Sequence, residues 1–454
     1  MGNSGGPPSL KDILCCPRCG GGLADADGQG EDGWRCARCG GAYPSVGDIP
    51  CLIDDPALWR TIWLRRLDDY TTQMESRVHE LEREAEAPHL LPRTRQRILR
   101  IARGFAQQLE AVTSLFEPLD AGADQWAASA IPSRPEPGAQ LAILECYDHV
   151  FRDWCWGEPE CALAIDFIAP LVPAGLERVA IFGAGAGRLA ADVHQRCGPA
   201  RTLALDVNPL PFLIANTLLA GRTVDLPEFP VDPNSDDVVV VARHLERPYA
   251  LRDGFSFLFA DALRPPIPPG SLDVVVTSWF IDVARAELRH TTAAINRVLR
   301  PGGLWLNLGP LRFQTVLSRA YTIEEVHEIA VAGGAFELLS HDSREIPYLD
   351  SPISGSKRRD LVFRFAARKT GEAEAPEIPD PTPPWVSNPL TPIPITPALV
   401  ALGRTSMFTT GVLSMIDGQR SIVDVARELA AAWGVEPARL QDELRAFLAR
   451  LPGA

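Results

Sequence analysis

The sequence predicts an α/β protein built on a parallel, doubly wound β-sheet. Two observations indicate this fold: an apolar segment that runs into a glycine turn and a helix start between 178 and 190, and four later apolar segments that alternate with helical ones. Strands that alternate with helices form parallel sheets, whose ligands bind at the carboxyl ends of the strands. We therefore expect a ligand site at that edge.

The first predicted strand, Val179–Phe182, ends in three glycines at alternate positions, Gly183, Gly185 and Gly187. Glycine tolerates positive φ and lets a ligand approach the backbone closely. The helix start that follows offers free N–H groups and a partial positive charge. A nucleotide or nucleoside fits such a turn, although a glycine turn alone is a weak signal.

Acidic residues stand at the ends of the next two predicted strands. Asp206 lies near the end of the second strand, and Asp261 directly follows the third. The later predicted strands are 201–207, 255–260, 272–279 and, after a helix end and a Pro-Gly-Gly turn, the last part of 298–308. Carboxylates at this edge suit ribose hydroxyls, an adenine amine and a cationic sulfonium, and they suit a pyrophosphate poorly.

The glycine spacing is G-x-G-x-G, whereas dinucleotide-binding folds use G-x-G-x-x-G. The order of glycine turn, Asp206, Asp261 and the turn Pro301–Gly303 resembles that of class I methyltransferases, which use S-adenosylmethionine (SAM). This resemblance implies a Rossmann-like α/β fold with SAM as the cofactor.

The composition narrows the function classes. Of the 454 residues, 46% are hydrophobic, which supports a sizeable core and more than one domain. The net charge of −14 argues against a nucleic-acid or membrane-surface partner. No apolar run reaches the roughly 18 residues of a membrane-spanning helix, and the N-terminus lacks an apolar signal core. We therefore expect a cytoplasmic protein.

Two C-x-x-C pairs, Cys16/Cys19 and Cys36/Cys39, lie near the N-terminus with 16 residues between them. Four thiolates at this spacing can form a tetrahedral zinc site, and so small a segment needs such a cross-link to fold. The alternatives are a redox pair and a knuckle without metal. The segment 10–55 resembles the small zinc-ribbon activator of tRNA, rRNA and release-factor methyltransferases, which implies a ribbon domain over 1–56 with a structural Zn²⁺.

The segment 57–140 has the apolar spacing of helices and predicts a helical cap, or alternatively a lid over the substrate site. A methyltransferase domain is then expected over 141–369. Within it, the insert 221–252 is too long for a bare connection and is expected to cover the site. Its His244 is a candidate substrate contact, although a lone histidine is more often structural.

Arg152 stands just before the first strand, in the alternating aromatic and charged run Phe151–Trp154. A guanidinium matches a carboxylate bidentately, so Arg152 is a candidate for the carboxylate of SAM. An ordinary surface ion pair is the alternative.

Asp282 lies at the tip of the fourth predicted strand, beside Trp279 and Phe280. A carboxylate at this place can orient a nitrogen nucleophile and take up its proton. The alternative is an N-cap, because a helical segment over 284–299 follows and aspartate caps helices well.

The segment 145–369 resembles the carnosine N-methyltransferase family, which uses SAM to methylate an imidazole nitrogen of a histidine-containing dipeptide. The most specific matching pieces are FRDW at 151–154, FGAGAGRLA at 182–190, TSWFIDVA at 277–284 and LRPGGLWLNLGPL at 299–311.

The family resemblance also implies roles for individual residues. It implies SAM binding by Arg152, Gly183, Asp206, Asp261, Ala262 and Ser278, with Gly185 and Gly187 in the same turn. Asp282 would accept the imidazole N–H so that the other ring nitrogen faces the methyl group, and Tyr348 would line the substrate pocket. On the dipeptide side the pattern departs: His149 replaces a glutamine, Gln314 a pocket histidine, and Asp360 or Arg359 an aromatic residue.

The C-terminal part begins with a Pro-rich linker over 370–397. The segment 398–454 predicts a small helical domain and resembles the helical half of the peptide-binding domain of the pyrroloquinoline quinone pathway. The resemblance implies a peptide or protein partner, and a packing domain is the alternative.

Three functions therefore compete. The first is SAM-dependent N-methylation of an imidazole nitrogen in a histidine-containing small molecule or peptide. The second is methylation of a ribosomally made precursor peptide held by the C-terminal domain. The third is a non-enzymatic scaffold that binds partners.

Overall fold

The computed structural model describes residues 9–25, 33–121, 142–284, 286–313, 317–377 and, within 407–448, all except 408, 413, 416, 418 and 419. The candidate substrate residue Gln314 and most of the predicted Pro-rich linker lie outside these residues. The chain divides into two compact units, Met1–Pro376 and Glu377–Ala454.

A seven-stranded sheet forms the centre of the first unit. Its strands lie in the order β10 (Phe255–Phe259), β7 (Arg201–Asp206), β6 (Arg178–Phe182), β11 (Leu272–Ser278), β12 (Leu299–Gly309), β14 (Arg359–Lys369) and β13 (Phe336–Pro347). The first five are parallel, and β14 runs antiparallel to both of its neighbours. The predicted Rossmann-like methyltransferase fold is confirmed, with each of the five predicted strands present.

Strand order reverses at β6, because the chain continues to β7 on one side and returns later to β11 on the other. The carboxyl ends of strands at such a reversal frame a crevice. Thr277 of β11 pairs with Phe182 of β6. The next residues along these two strands, Ser278 and Gly183, are therefore neighbours. The sheet therefore brings the glycine turn and the tip of β11 together.

Helices cover both faces of the sheet, and strand positions such as Val179–Phe182 are fully buried. These helices are α5 (Glu158–Ile168), α6 (Arg188–Cys197), α7 (Pro209–Leu219), α8 (Leu288–Val298) and α9 (Ile323–Val331). Helix α8 begins four residues later than the sequence indicates, because Glu287 caps it by accepting a hydrogen bond from the amide of Arg289.

The N-terminal segment contains helix α1 (Leu10–Ile13) and short antiparallel strands that surround the four cysteines. These strands are β1 (Leu23–Asp25), β2 (Trp34–Cys36), β3 (Ala42–Tyr43), β4 (Ser45–Val46) and β5 (Ile49–Pro50). The amide of Leu52 donates to the carbonyl of Phe259 (2.8 Å), and Cys51 forms a parallel bridge with the same residue. The segment thereby covers the edge strand β10, which would otherwise expose unpaired backbone groups.

The segment predicted to be helical forms two long helices, α2 (Pro56–Ala85) and α3 (Pro92–Asp120). Trp59 of α2 is fully buried, and its indole N–H donates to the carbonyl of Val207 (2.9 Å) just after β7. The insert forms an antiparallel hairpin of β8 (Val224–Glu228) and β9 (Val241–Leu245), and Phe229 at its turn stacks on Phe105 of α3 at 4.6 Å.

Before β6, helix α4 (Tyr147–Phe151) leads into a π-helical turn at Arg152–Trp156, and α5 follows that turn.

In the second unit, α10 (Ile422–Trp433) begins with a capping box between Ser421 and Asp424, and α11 (Pro437–Leu448) follows. The predicted C-terminal helices are thus present. Among the described helices, none combines the length and apolarity that a membrane crossing requires.

Candidate functional site

A cavity of about 590 Å³ lies where β6, β7, β10 and β11 end. It is lined by most of the predicted SAM residues: Arg152, Gly183, Gly185, Asp206, Asp261, Ala262 and Ser278. Gly187 instead lies outside the lining and serves packing, because its φ is +83° and a Cβ there would lie 3.0 Å from the ring of Phe257. The structure thus brings residues from separate elements together at the expected edge.

The glycine turn packs tightly against the tip of β11. Gly183 has a φ of +68°, and a Cβ there would lie 2.4 Å from the ring of Phe280. The amide of Gly185 donates to Oδ2 of Asp206 (2.8 Å). Glycine is therefore required at 183 both by the backbone conformation and by the lack of space.

The carboxylates of Asp206 and Asp261 are partly engaged by backbone amides. Asp206 accepts hydrogen bonds from the amides of Gly185 (2.8 Å), Val207 (2.7 Å) and Asn208 (3.0 Å). Asp261 accepts one from the amide of Leu263 (2.9 Å). Burial raises the pKa of both carboxyls, while these amides favour the ionised form. Since a carboxylate has about four acceptor positions, each retains capacity for a ligand hydroxyl or amine.

Arg152 begins the π-helical turn, a feature frequent at functional sites. Its Nε donates to Oδ1 of Asp153 (2.7 Å), and its Nη1 lies 3.4 Å from Oε1 of Glu160. Burial alone would lower the pKa of Arg152, but nearby anionic groups, Asp153 foremost, raise it above its ordinary value. The guanidinium therefore stays charged, and three of its five N–H groups remain for a ligand.

Asp153 and Trp154, which follow Arg152, form hydrogen bonds with the start of α6 and with the glycine turn before it. Oδ2 of Asp153 accepts a hydrogen bond from the amide of Arg188 (3.4 Å), and the indole N–H of Trp154 donates to the carbonyl of Ala186 (2.8 Å). The sequence indicated the run 151–154 as a candidate for SAM binding but did not indicate that Asp153 and Trp154 hold the glycine turn in place. The signal was the unusual pairing of a charge with an aromatic residue directly before a buried strand.

Trp279 ends β11 in a left-handed conformation, with a φ of +48°. Such a conformation is strained for a residue with a bulky side chain, and it recurs at ligand sites. The amide of Trp279 donates to the carbonyl of Leu308 (2.7 Å), whereas its buried indole N–H has no hydrogen-bond partner among the described residues. The turn directs Phe280 against Gly183 and carries the chain to Asp282.

Asp282 is buried and is not itself part of the cavity lining, although Phe280 and Val283, which stand near it in the sequence, are. Its Oδ2 accepts a hydrogen bond from the amide of Arg312 (3.0 Å), while its buried Oδ1 has no partner among the described residues. Burial raises the pKa of Asp282, and the Arg312 amide only partly offsets this. The N-cap alternative is wrong, because Glu287 caps α8 instead.

The candidate acceptor wall consists of the lining residues His149 and Trp279 and of Tyr348, which contacts both but is not itself part of the cavity lining. Nε2 of His149 lies 2.8 Å from the hydroxyl of Tyr348, and the Tyr348 ring stacks on the Trp279 ring with centroids 6.3 Å apart. Burial, with a smaller effect from Arg152, lowers the pKa of His149 to about 3. The imidazole is therefore neutral, and its buried Nδ1 has no partner among the described residues.

Asp360 and Arg359, the two residues named for the departure near the last strand, have different environments. Asp360 is buried and pairs with Arg312 and with Nε of Arg358 (3.0 Å), whereas Arg359 pairs with the exposed Glu345. His244 is exposed and pairs with Asp225 at 2.7 Å on the hairpin, away from the cavity lining. The structural reading of His244 is thus the better one.

The ionisable residues of the cavity lining have an acidic balance. Five are carboxylates, namely Asp153, Glu160, Asp192, Asp206 and Asp261, and two are the guanidinium groups of Arg152 and Arg264. Five negative and two positive charges leave a net charge of −3 at the lining. SAM carries a sulfonium, an ammonium and one carboxylate, so its net positive charge fits this lining, whereas a pyrophosphate would be repelled.

The four cysteines predicted to bind metal lie together, with their sulfur atoms all within 4.8 Å of one another. The Sγ atoms of Cys16 and Cys39 are 3.6 Å apart, and those of Cys19 and Cys36 are 3.5 Å apart. A tetrahedral zinc with Zn–S bonds of about 2.3 Å places its sulfurs about 3.8 Å apart. The donor set therefore fits zinc, and Cys15 is not part of it.

Parts of this chain are similar to known proteins. The family model of carnosine N-methyltransferase matches residues 236–356. This segment includes β10, β11 and Asp282 but ends before β14. A search of curated proteins found no significant match.

Three solved structures illustrate the similarity. A putative methyltransferase from Bacillus halodurans is 13% identical over 46% of this chain and 99% of its own, with a TM-score of 0.33. A complex of the Haloferax volcanii Trm112 methyltransferase activator with a putative methyltransferase is 16% identical over 50% of this chain and 96% of its own, with a TM-score of 0.34. Phosphoethanolamine N-methyltransferase 2 of Haemonchus contortus, in complex with SAM, is 14% identical over 51% of this chain and 58% of its own, with a TM-score of 0.34.

The fold of the sheet, the acidic cavity and the family match together support a SAM-dependent methyltransferase. The individual roles of the lining residues remain predictions.

Proposed function

We propose that this protein is a SAM-dependent N-methyltransferase that methylates an imidazole nitrogen of a histidine-containing small molecule or peptide. The observation that supports the proposal is Asp282, a buried carboxylate two residues after the lining residue Phe280, with one oxygen unpaired among the described residues. Its surroundings fall within the segment that matches the carnosine N-methyltransferase model.

SAM, when bound, supplies a methyl group activated by its sulfonium. Arg152 would hold the carboxylate end of SAM, Asp206 its ribose hydroxyls and Asp261 its adenine. These residues would place the methyl group before the acceptor nitrogen.

Asp282 would act on the acceptor. Its unpaired Oδ1 would accept the hydrogen bond from one ring N–H, so that the lone pair of the other nitrogen faces the methyl group. As the N–CH₃ bond forms, the S–CH₃ bond of SAM would break and S-adenosylhomocysteine would leave; the ring would become cationic and would pass this N–H proton to Asp282. Burial raises the pKa of Asp282, which makes it a stronger base than an exposed aspartate.

The test is Asp282→Asn, which preserves shape and removes the charge. We expect methylation of carnosine or histidine, followed with labelled SAM by mass spectrometry, to fall at least about 100-fold. Binding of S-adenosylhomocysteine is expected to persist within a few-fold. Glu287→Gln is the matched control, because Glu287 is also buried but caps α8. Unchanged turnover in Asp282→Asn would refute the proposed base.

A second candidate, modification of a ribosomally made precursor peptide, is favoured by the C-terminal unit. That unit contains a cavity of about 370 Å³ lined by apolar residues that include Met415, Leu429 and Trp433. Methylation of a histidine-containing precursor by the full chain, with no methylation of free dipeptides, would favour this candidate. A chain that does not bind SAM would instead be a scaffold.

We also propose that Cys16, Cys19, Cys36 and Cys39 hold a structural zinc. The proposal is supported by the sulfur spacings, which match a tetrahedral thiolate site.

A further inference from the structure

The cavity contains a buried carboxylate for which neither the sequence nor the family resemblance gives a role. Glu160 lies on α5, is only 5% exposed and lines the cavity. Its Oε1 lies 3.4 Å from Nη1 of Arg152, whereas its buried Oε2 has no hydrogen-bond partner among the described residues. A buried carboxylate oxygen without a partner is costly, so its place in the lining points to a ligand donor.

The neighbouring carboxylates do not share this property. Asp153 uses Oδ1 for Arg152 and Oδ2 for the amide of Arg188. Asp192 is engaged by the Arg188 side chain and by the hydroxyl of Tyr249. Of Asp153, Asp192 and Glu160, only Glu160 therefore has a carboxylate oxygen without a partner among the described residues.

Arg152 and Glu160 together present a guanidinium and a carboxylate side by side. The amino-acid end of SAM carries the inverse pair, a carboxylate and an ammonium on one carbon atom. We propose that Glu160 binds the α-ammonium group of SAM through Oε2 while Arg152 binds the adjacent α-carboxylate. This inference rests on the proposed use of SAM and adds a residue to the cofactor site.

Charge and surroundings agree with this role. Burial raises the pKa of Glu160, and the Arg152 guanidinium, followed by the nearby backbone amides of Asp350 and Leu349, partly offsets this rise. An ammonium group bound at Oε2 would offset the remaining cost of burying the ionised carboxylate, since charge-assisted hydrogen bonds are about twice as strong as neutral ones.

The experiment compares Glu160→Gln with the wild-type chain by calorimetric titration of two ligands. S-adenosylhomocysteine has the complete amino-acid end, whereas 5′-methylthioadenosine lacks it. We expect Glu160→Gln to bind S-adenosylhomocysteine about 10- to 100-fold more weakly and to bind 5′-methylthioadenosine unchanged. Glu158→Gln on the same helix is the matched control, because Glu158 is exposed and pairs with Arg188; we expect both affinities to stay unchanged.

A third ligand keeps the test independent of the variant's folding. Deaminated S-adenosylhomocysteine, titrated into the wild-type chain, is expected to bind at least about tenfold more weakly than the parent compound. Equal affinity for these two ligands, or equal losses for both ligands in Glu160→Gln, would overturn the role of Glu160. If the wild-type chain binds no adenosyl ligand at all, the proposed function fails first and this inference fails with it.

Discussion

The contact between Gly183 and Phe280 makes a quantitative prediction about the site. In Gly183→Ala the new Cβ would lie 2.4 Å from Cδ2 and 3.1 Å from Cβ of Phe280, so the whole Phe280 residue has to move. The left-handed backbone costs a residue with a Cβ about 1–2 kcal/mol, and overpacking adds about 1–3 kcal/mol. We therefore expect a loss of about 2–5 kcal/mol in the free energy of unfolding.

Gly185→Ala is the matched control in the same turn. Its φ of +55° brings the same backbone cost, but a Cβ there meets no atom within 4 Å. Its expected loss is about 1–2 kcal/mol. Urea unfolding of both variants, followed by tryptophan fluorescence, measures the difference. Equal losses would refute the argument that Phe280 fills the space in front of Gly183.

Two further predictions follow from the metal cluster and from Glu160. Elemental analysis is expected to find about one zinc per chain; Cys36→Ser should lose it, and Cys155→Ser, with an exposed cysteine outside the cluster, should retain it. A chain without zinc would contradict this. Burial raises the pKa of Glu160 from 4.5 to about 6, so the folded state favours the protonated form. The resulting stabilisation is fully present below pH 4.5 and is lost as the pH rises through about 6. The free energy of unfolding of Glu160→Gln relative to the wild type, measured by urea unfolding, should therefore rise by about 2 kcal/mol from pH 4.5 to pH 7.5. A difference that does not change with pH would refute the raised pKa of Glu160.

The strands of the sheet could be predicted from the sequence because they are fully buried. Segments such as Val179–Phe182 and Val274–Val276 are covered on both faces, so each reads as a continuous apolar run. The position of the cavity followed from the same signal, since the residues that end parallel strands meet at one edge. Asp206 and Asp261 were placed there by their distance from a strand end alone.

The start of α8 was predicted wrongly for a local reason. Asp282 and Glu287 both precede the helix; aspartate is the commoner N-cap, and sequence periodicity does not show which of the two is used. The structure uses Glu287, whose carboxylate accepts from the amide of Arg289 and also pairs with the Arg289 side chain. Asp282 is thereby released from the helix, which changes it from a structural group to a candidate base.

The acceptor wall could not be predicted from pattern, because it joins distant parts of the chain. His149 and Tyr348 are 199 residues apart and meet through a hydrogen bond of 2.8 Å. The strained conformation of Trp279 has no sequence signal either, since tryptophan rarely adopts positive φ. Only the family resemblance indicated Tyr348, and it gave no partner for it.

Glu160 and Asp282 are both buried, each has an oxygen without a partner among the described residues, and we propose different roles for them. Glu160 lies beside Arg152, where the amino-acid end of SAM is proposed to bind, and Asp282 follows the last residue of β11 by four positions. Each unpaired oxygen disfavours the folded state until a hydrogen-bond donor of a ligand reaches it. Binding of S-adenosylhomocysteine and binding of the imidazole compound should therefore each raise the unfolding temperature. Glu160→Gln should reduce only the rise caused by S-adenosylhomocysteine, and Asp282→Asn only the rise caused by the imidazole compound. Loss of both effects in either variant would mean that the two ends of the site are not independent.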